Sequence, residues 1–246
     1  MKINRNHDYL YLKSNTYDKP KQVHLELSKI INKKLKNTKS KYKHVIDIGC
    51  ANGELIYLLN KIYNKCNYTG YDVLKPLIQK AKKKMKNIEN IKFKYGSVLN
   101  KNLIKKSSGT AIILSGVLSM FDNFEKVISN LIYWTKNKGE VVIYGVFNDN
   151  PIDVFIKYRK TSNYNKFFLE SGWNTFSKQS ISNYLNKKKE VEKFKFKKFN
   201  IKFNLKKNKN DLLRTWTFKN QKGNRLTTNG LNVIFQLYFL TIRVKK

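Results

Sequence analysis

Three groups of residues in this chain have the types and spacing to do chemistry on a nucleoside. The first is the run Val45-Ile46-Asp47-Ile48-Gly49-Cys50-Ala51-Asn52-Gly53-Glu54, where apolar residues lead to an acid and then to alternating small residues. A β-branched run followed by glycines and a helical pattern is a strand–turn–helix whose backbone N–H groups can approach a ligand closely. The second is Asp72, 23 residues beyond Gly49 and at the end of an apolar run over 68–71. An acid there is placed to accept hydrogen bonds from ribose hydroxyls. The third is the pair of turns Gly96-Ser97-Val98 and Ser115-Gly116, which close two further apolar runs.

The kind of nucleoside follows from what the run lacks. A dinucleotide fingerprint, G-x-G-x-x-G, needs a third glycine where this chain has Glu54. Asp47, just before the turn, would repel a pyrophosphate and suits a cationic group such as the α-ammonium of a methionine moiety. The pattern D-x-G-x-A-x-G followed by Asp72 resembles the glycine-rich loop and acidic second strand of class I S-adenosylmethionine-dependent methyltransferases, over about residues 42–147. The resemblance implies S-adenosyl-L-methionine as cofactor and no metal. It implies that Asp47 and the loop of Gly49, Cys50, Ala51 and Gly53 hold the methionine part. Asp72, with Val73 beside it, would hold the ribose; Ser97 and Val98 would flank the adenine, and Ser115 would lie on the same edge. The sequence departs from the family at Ala51, usually glycine, and at Ser97, usually aspartate.

The elements that must position these residues alternate along the chain. Val23, Leu27, Ile30, Ile31 and Leu35 repeat at helical spacing after Pro20, so a helix is expected to about residue 35. Strands are expected over 45–48, 68–71, 91–95, 111–114 and 140–146, with helices over 53–63, 76–85 and 124–134. Such alternation predicts an α/β fold with a doubly wound, mostly parallel sheet and helices on both faces. Residues 149–189 carry no clear strand and read as a helical insertion. Residues 194–203 alternate as a sixth strand, with a phase slip near Lys197-Lys198 that suggests a bulge. Residues 231–244 supply a last strand, which the family runs antiparallel to complete seven. The domain plan is therefore an N-terminal helical segment over 1–44, a cofactor core over 45–147, a substrate-side insertion over 148–190, and C-terminal strands over 191–246 with a lid at about 205–230.

Methyl transfer from a sulfonium needs positioning and desolvation, with a base only when the acceptor arrives protonated. No catalytic residue is identifiable from sequence. His44 precedes the first strand and belongs to the opposite edge; His7 and His24 are assigned to the surface of the N-terminal segment; Asp122 and Asp149 read as turn or cap residues. Ser115-Gly116-Val117-Leu118 replaces the Asn/Asp-Pro-Pro-aromatic segment of adenine and cytosine amino methyltransferases, which disfavours base methylation. Substrate contacts are expected from segments overhanging the cofactor edge: Asp149, Tyr158, Arg159, Gly172-Trp173-Asn174 and Ser177 in the first insertion, and Arg214, Trp216 and Asn229 in the lid. Aromatic and polar walls suit a saccharide or related hydroxylated metabolite, methylated on oxygen. RNA methylation or RNA binding, and a catalytically inert cofactor-binding protein, remain open.

A net charge of +35 invites nucleic acid. Only five of the 51 basic residues are arginine, the residue suited to phosphate and base recognition, and the lysines run from end to end. A small-molecule acceptor is therefore preferred. Cys50 and Cys66 form no motif, and no apolar run reaches the 18 residues a membrane span needs. A reduced cytoplasm is the expected location.

Overall fold

Strands of aliphatic and β-branched residues that are buried on both faces belong in the middle of a parallel sheet. In the computed structural model, which describes residues 6–159, 161 and 169–246, such strands form the centre. The order along the chain is α1 (Gln22–Lys36), β1 (His44–Ile48), α2 (Glu54–Ile62), β2 (Asn67–Asp72), α3 (Lys75–Lys84), β3 (Ile91–Tyr95), β4 (Gly109–Ser115), α4 (Phe124–Trp134) and β5 (Thr135–Asn148). Next come β6 (Lys157–Tyr158), β7 (Glu170–Ser171), β8 (Phe176–Ser177), α5 (Lys178–Asn186), β9 (Val191–Lys198), β10 (Trp216–Lys219), β11 (Arg225–Thr228) and β12 (Gln236–Val244). The main sheet runs β3-β2-β1-β4-β5-β12-β9, with β8 paired to the end of β5. β1 to β5 are mutually parallel, and β12 is antiparallel to both β5 and β9. The strand order reverses between β1 and β4, the crevice where ligands bind in open α/β sheets.

Successive side chains of a strand point to opposite faces, and the two cores follow that rule. Ala111 and Ile113 of β4 pack with α1, α2 and α3, whereas Ile112 and Leu114 pack with α4 and α5. α1 buries Leu27, Ile31 and Leu35, one per turn, against the first core. α4 starts at Asn123, whose Oδ1 accepts from the Lys126 N–H at 2.9 Å, and ends at the fully buried Trp134.

Three expectations are corrected. The apparent phase slip at Lys197-Lys198 is not a bulge: β9 pairs continuously with β12 from Phe194 to Lys198. Phe194 and Phe196 face one core while Phe199 and Ile201 face the other, so the covered face changes and the register does not. Second, the 148–190 segment is not mostly helical among its described residues: α5 is its one α-helix, and the rest is short strands, bridges and irregular chain. Ile152, Val154 and Ile156 alternate at period two, and Val154 bridges Thr175. Third, in place of a lid over 205–230 the chain folds into the β10–β11 hairpin. Its turn is closed by Gly223 N–H donating to the Asn220 carbonyl, with Gly223 at φ +73°.

Candidate active site

The loop between β1 and α2 is shaped by left-handed backbone at Gly49 (φ +72°), Ala51 (φ +48°) and Gly53 (φ +80°). Glycine at 49 is required twice over, because a Cβ there would lie 2.5 Å from Cγ2 of Val117 on the loop after β4. The Gly49 and Cys50 N–H groups both donate to the Tyr71 carbonyl, at 2.7 and 3.0 Å. Asp72 ties the loop from the other side: Oδ2 accepts from Ala51 N–H and Oδ1 from Leu74 N–H, each at 2.9 Å. Burial raises the Asp72 carboxyl above its usual range, against the pull of those N–H donors.

Asp47 stands at the end of β1, 2 % exposed, and its Oδ1 is buried without a hydrogen-bond partner. Burial, with Asp72 nearby, pushes its carboxyl up to about 8. A buried carboxylate without a cation is costly, so a positively charged ligand group would be favoured beside Asp47. An α-ammonium meets that need, and the residues present fit S-adenosylmethionine.

These groups line a cavity of about 400 Å³ at the carboxyl ends of the parallel strands. Asp47, Gly49, Cys50, Ala51, Asp72, Val73, Ser97, Val98 and Ser115 all line it. Gly53 does not; it stands behind the loop, where a Cβ would meet the Phe93 ring at 2.6 Å. Ser97 Oγ accepts from Leu99 N–H at 3.3 Å, and Asn130 Nδ2 holds the Val98 carbonyl at 2.7 Å. Cys50 is packed under the loop with its thiol pushed well up by burial, first of all, and by Asp47 and Asp72. It is a filler and not a nucleophile.

The residues expected at the substrate lie elsewhere. Asp149, Arg159, Arg214, Trp216 and Asn229 are all absent from the cavity wall. The Asp149 carboxylate accepts from Lys178 Nζ and, at 2.7 Å, from Tyr238 Oη; the Lys178 bond foremost, and then that of Tyr238, holds it below the usual carboxylate range. Arg214 has a side chain 56 % exposed beside Asp211, Trp216 lies under the Lys207 ammonium, and Asn229 is buried with Oδ1 accepting from Leu231 N–H. The first insertion reaches the site only indirectly: buried Asn174 donates to the Phe121 carbonyl at 3.0 Å and to Asp122 at 2.8 Å, fixing the loop that carries Met120 and Phe121. His44 is at the far end of β1, its Nε2 2.9 Å from Thr69 Oγ1. The His7 side chain lies outside the described residues.

The wall that the sequence did not disclose comes from the N-terminus. Asp8, Tyr11, Lys21, Val23 and His24 line the cavity together with Val117, Met120, Phe121 and Tyr144. Glu54 fastens this strap. Its Oε1 accepts from Thr16 N–H at 2.7 Å and Ser14 Oγ at 2.9 Å, and its Oε2 pairs with Lys21 at 2.9 Å. Burial alone would raise its carboxyl, but Lys21 and the Thr16 bonds draw it down to about 2. Tyr17 Oη donates to the Asn52 carbonyl at 2.6 Å and Lys80 to the Leu12 and Ser14 carbonyls, closing the seam. His24 is therefore not a surface residue: its Nδ1 is sealed from solvent with no partner, and burial, then Lys21, lowers the imidazole to about 4.

Comparison with known proteins agrees with this geometry. Residues 39–197 match the methyltransferase domain family. A carboxy-S-adenosyl-L-methionine synthase of Campylobacter curvus is 25 % identical over 134 residues, 50 % of this chain and 56 % of the relative. A tRNA (guanine-N(7)-)-methyltransferase of Prochlorococcus marinus is 32 % identical over 87 residues, 35 % of this chain and 40 % of that protein. The chain thus spans about half the length of the curated relatives it matches. Among solved structures, the YcgJ protein of Bacillus subtilis superposes with a TM-score of 0.55 at 13 % identity, over 90 % of this chain and 99 % of its own, a likeness of fold.

Proposed function

Because the chain belongs to the class I S-adenosylmethionine-dependent methyltransferase family, we propose that it transfers the cofactor's methyl group to an oxygen of a small hydroxylated acceptor, the class that includes saccharides. The bound cofactor supplies an electrophilic methyl on a sulfonium. The chain's own residues do the rest: Asp47 receives the ammonium, Asp72 the ribose hydroxyls, and the strap excludes water from the transfer. The observation that carries the reading is the lining of the cavity beyond the cofactor loop, where Tyr11, Val117, Met120, Phe121 and Tyr144 supply the aromatic and apolar contacts that suit a small molecule.

The relatives' names suggest two other chemistries. Making a carboxylated cofactor calls for a free cation near the methyl; Lys21 is the one lysine or arginine among the described lining residues, and Glu54 engages it. A tRNA acceptor is favoured by the net charge of +35. Transfer of labelled methyl from S-adenosylmethionine to the low-mass fraction of a cell extract, beside total RNA, separates the readings. Label in small molecules supports the proposal; label in RNA alone replaces it.

A further inference from the structure

The groups that fit the cofactor succeed one another in one direction across the sheet: Asp47 in β1, Asp72 in β2 and Ser97 after β3, in the spatial order β1-β2-β3. The cavity also continues the other way. Ser115 and Gly116 line it at the end of β4, and Tyr144 lines it from β5. Strands stand about 4.8 Å apart, so β5 is roughly 10 Å from β1, on the side away from the ribose and adenine positions. Tyr144 pairs with Ser115 in the parallel register, which puts it at the same edge as the cofactor loop.

The Tyr144 ring is held fast, whereas its hydroxyl is not. The ring centroid lies 5.5 Å from that of Phe199, edge on, and 5.3 Å from that of Phe239. Oη makes no hydrogen bond among the described residues, yet it is not sealed from solvent. β5 is flanked by β4 and β12, so the open part of this side chain belongs to the cavity it lines. Burial first, and then the Tyr11 phenol, raises Tyr144 well above the usual tyrosine range, so the hydroxyl keeps its proton and acts as a donor. The loop after β4 adds Val117, Met120 and Phe121, all apolar. A hydroxyl fixed on a packed ring, in apolar company and without a partner from its own chain, is a polar anchor of the kind that orients a small ligand.

We propose that the β5 end of the cavity is the subsite for the methyl acceptor, and that the Tyr144 hydroxyl selects the acceptor there by donating a hydrogen bond to one of its oxygens. The inference rests on the methyl-transfer reading above. The class of acceptor follows from the donor. Donation to the attacking oxygen itself would draw on the lone pairs that form the O–C bond, so the oxygen held is a neighbouring one. The acceptor therefore carries two oxygens close together: a hydroxyl that takes the methyl, and a hydroxyl, ether or carbonyl oxygen beside it that Tyr144 holds. Vicinal diols and sugars have this arrangement.

The test measures labelled-methyl transfer by the full chain from S-adenosylmethionine to the low-mass fraction of a cell extract, over a dilution series of that fraction. S-adenosylhomocysteine binding and thermal unfolding are measured beside it. Tyr144→Phe keeps the ring and removes only the hydroxyl. It should need on the order of tenfold more extract to reach half of its maximal rate, with that rate and S-adenosylhomocysteine affinity within about threefold of wild type. Its Tm should be no lower than that of wild type, because the hydroxyl has no partner in the chain to lose. The main labelled product should carry, by mass spectrometry, a second oxygen beside the methoxy group. An unchanged half-saturation point, a loss confined to maximal rate, or a main product with a single oxygen overturns the assignment. Loss of S-adenosylhomocysteine affinity beyond about threefold, or a fall in Tm, does so too, by making Tyr144 a support of the cofactor wall or of the fold. A wild-type protein that labels no small molecule above an extract-free blank instead overturns the methyl-transfer reading, and this inference with it.

Discussion

Asp47 carries the electrostatics of the site, and its behaviour with pH is specific. In the ligand-free protein its carboxyl titrates at about 8, against 3.8 ordinarily. The native state therefore keeps a proton that the unfolded chain has lost across that window, and this group's contribution to stability falls as pH rises through it. Asp47→Asn should gain in Tm relative to wild type as pH is raised from about 5 to 8. Cofactor binding has the opposite sense. An ammonium favours the carboxylate, so binding expels the proton, and affinity for S-adenosylhomocysteine should climb with pH up to about 8 and then level off. Calorimetry on Asp47→Asn should show weaker binding with no such slope. Ala51 offers a second test at this scale. It holds φ +48° where only glycine is free of strain, so Ala51→Gly should raise stability by about 1 kcal/mol in urea unfolding. A loss would mean that the loop is not strained there. These loop residues were legible because each acts through its neighbours in sequence. Gly53 shows the limit: its left-handed backbone is local and the motif spacing includes it, yet the Phe93 ring, 40 residues on, adds a constraint that the spacing does not reveal.

At the scale of elements, the strap and the hairpin exchange the roles that sequence suggested. Glu54 was readable as the residue that breaks a dinucleotide fingerprint. Its partners Ser14, Thr16 and Lys21 were not, because contacts across 33 to 40 residues leave no periodic trace. Glu54→Ala removes the Ser14, Thr16 and Lys21 bonds together with a long one from Asn52 and should cost about 1–3 kcal/mol. It should also weaken cofactor binding severalfold by loosening the wall. Its carboxyl lies near 2 in the folded chain, against 4.5 ordinarily. Its stabilising share is therefore present above pH 4.5 and lost as pH falls towards 2, and the acid limb of unfolding should flatten in the variant. Chain topology correctly put the exit from β9 at the cofactor edge, since β9 runs parallel to β5. Beyond that exit the chain pairs with itself as β10 and β11, and none of its residues lines the cavity. Arg214→Ala and Trp216→Ala should accordingly leave methyl-transfer rates within about twofold of wild type, as measured by labelled-methyl transfer. A drop of an order of magnitude or more would bring the hairpin back to the acceptor.

For the whole molecule, the alternation of strands and helices disclosed the doubly wound sheet and its mostly parallel sense, because each element announces its own period. The order of strands beyond β5, and the strap's course over the cavity, depend on packing between distant segments and left no comparable mark. Charge is a property of this scale as well. Lysines spread over the whole chain predict RNA binding that is weak, blind to sequence and lost with added salt; a tight, sequence-selective complex would contradict that. The central claim is that the β1–α2 loop, Asp47 and Asp72 form a site for S-adenosylmethionine and not for a dinucleotide. Calorimetric titration of wild type and Asp72→Ala with S-adenosylhomocysteine and with NAD tests it most directly. The account predicts saturable binding of S-adenosylhomocysteine, weakened by about 1.5–3 kcal/mol in Asp72→Ala as charge-assisted ribose bonds are lost, and no binding of NAD. Binding of NAD without binding of S-adenosylhomocysteine would contradict it.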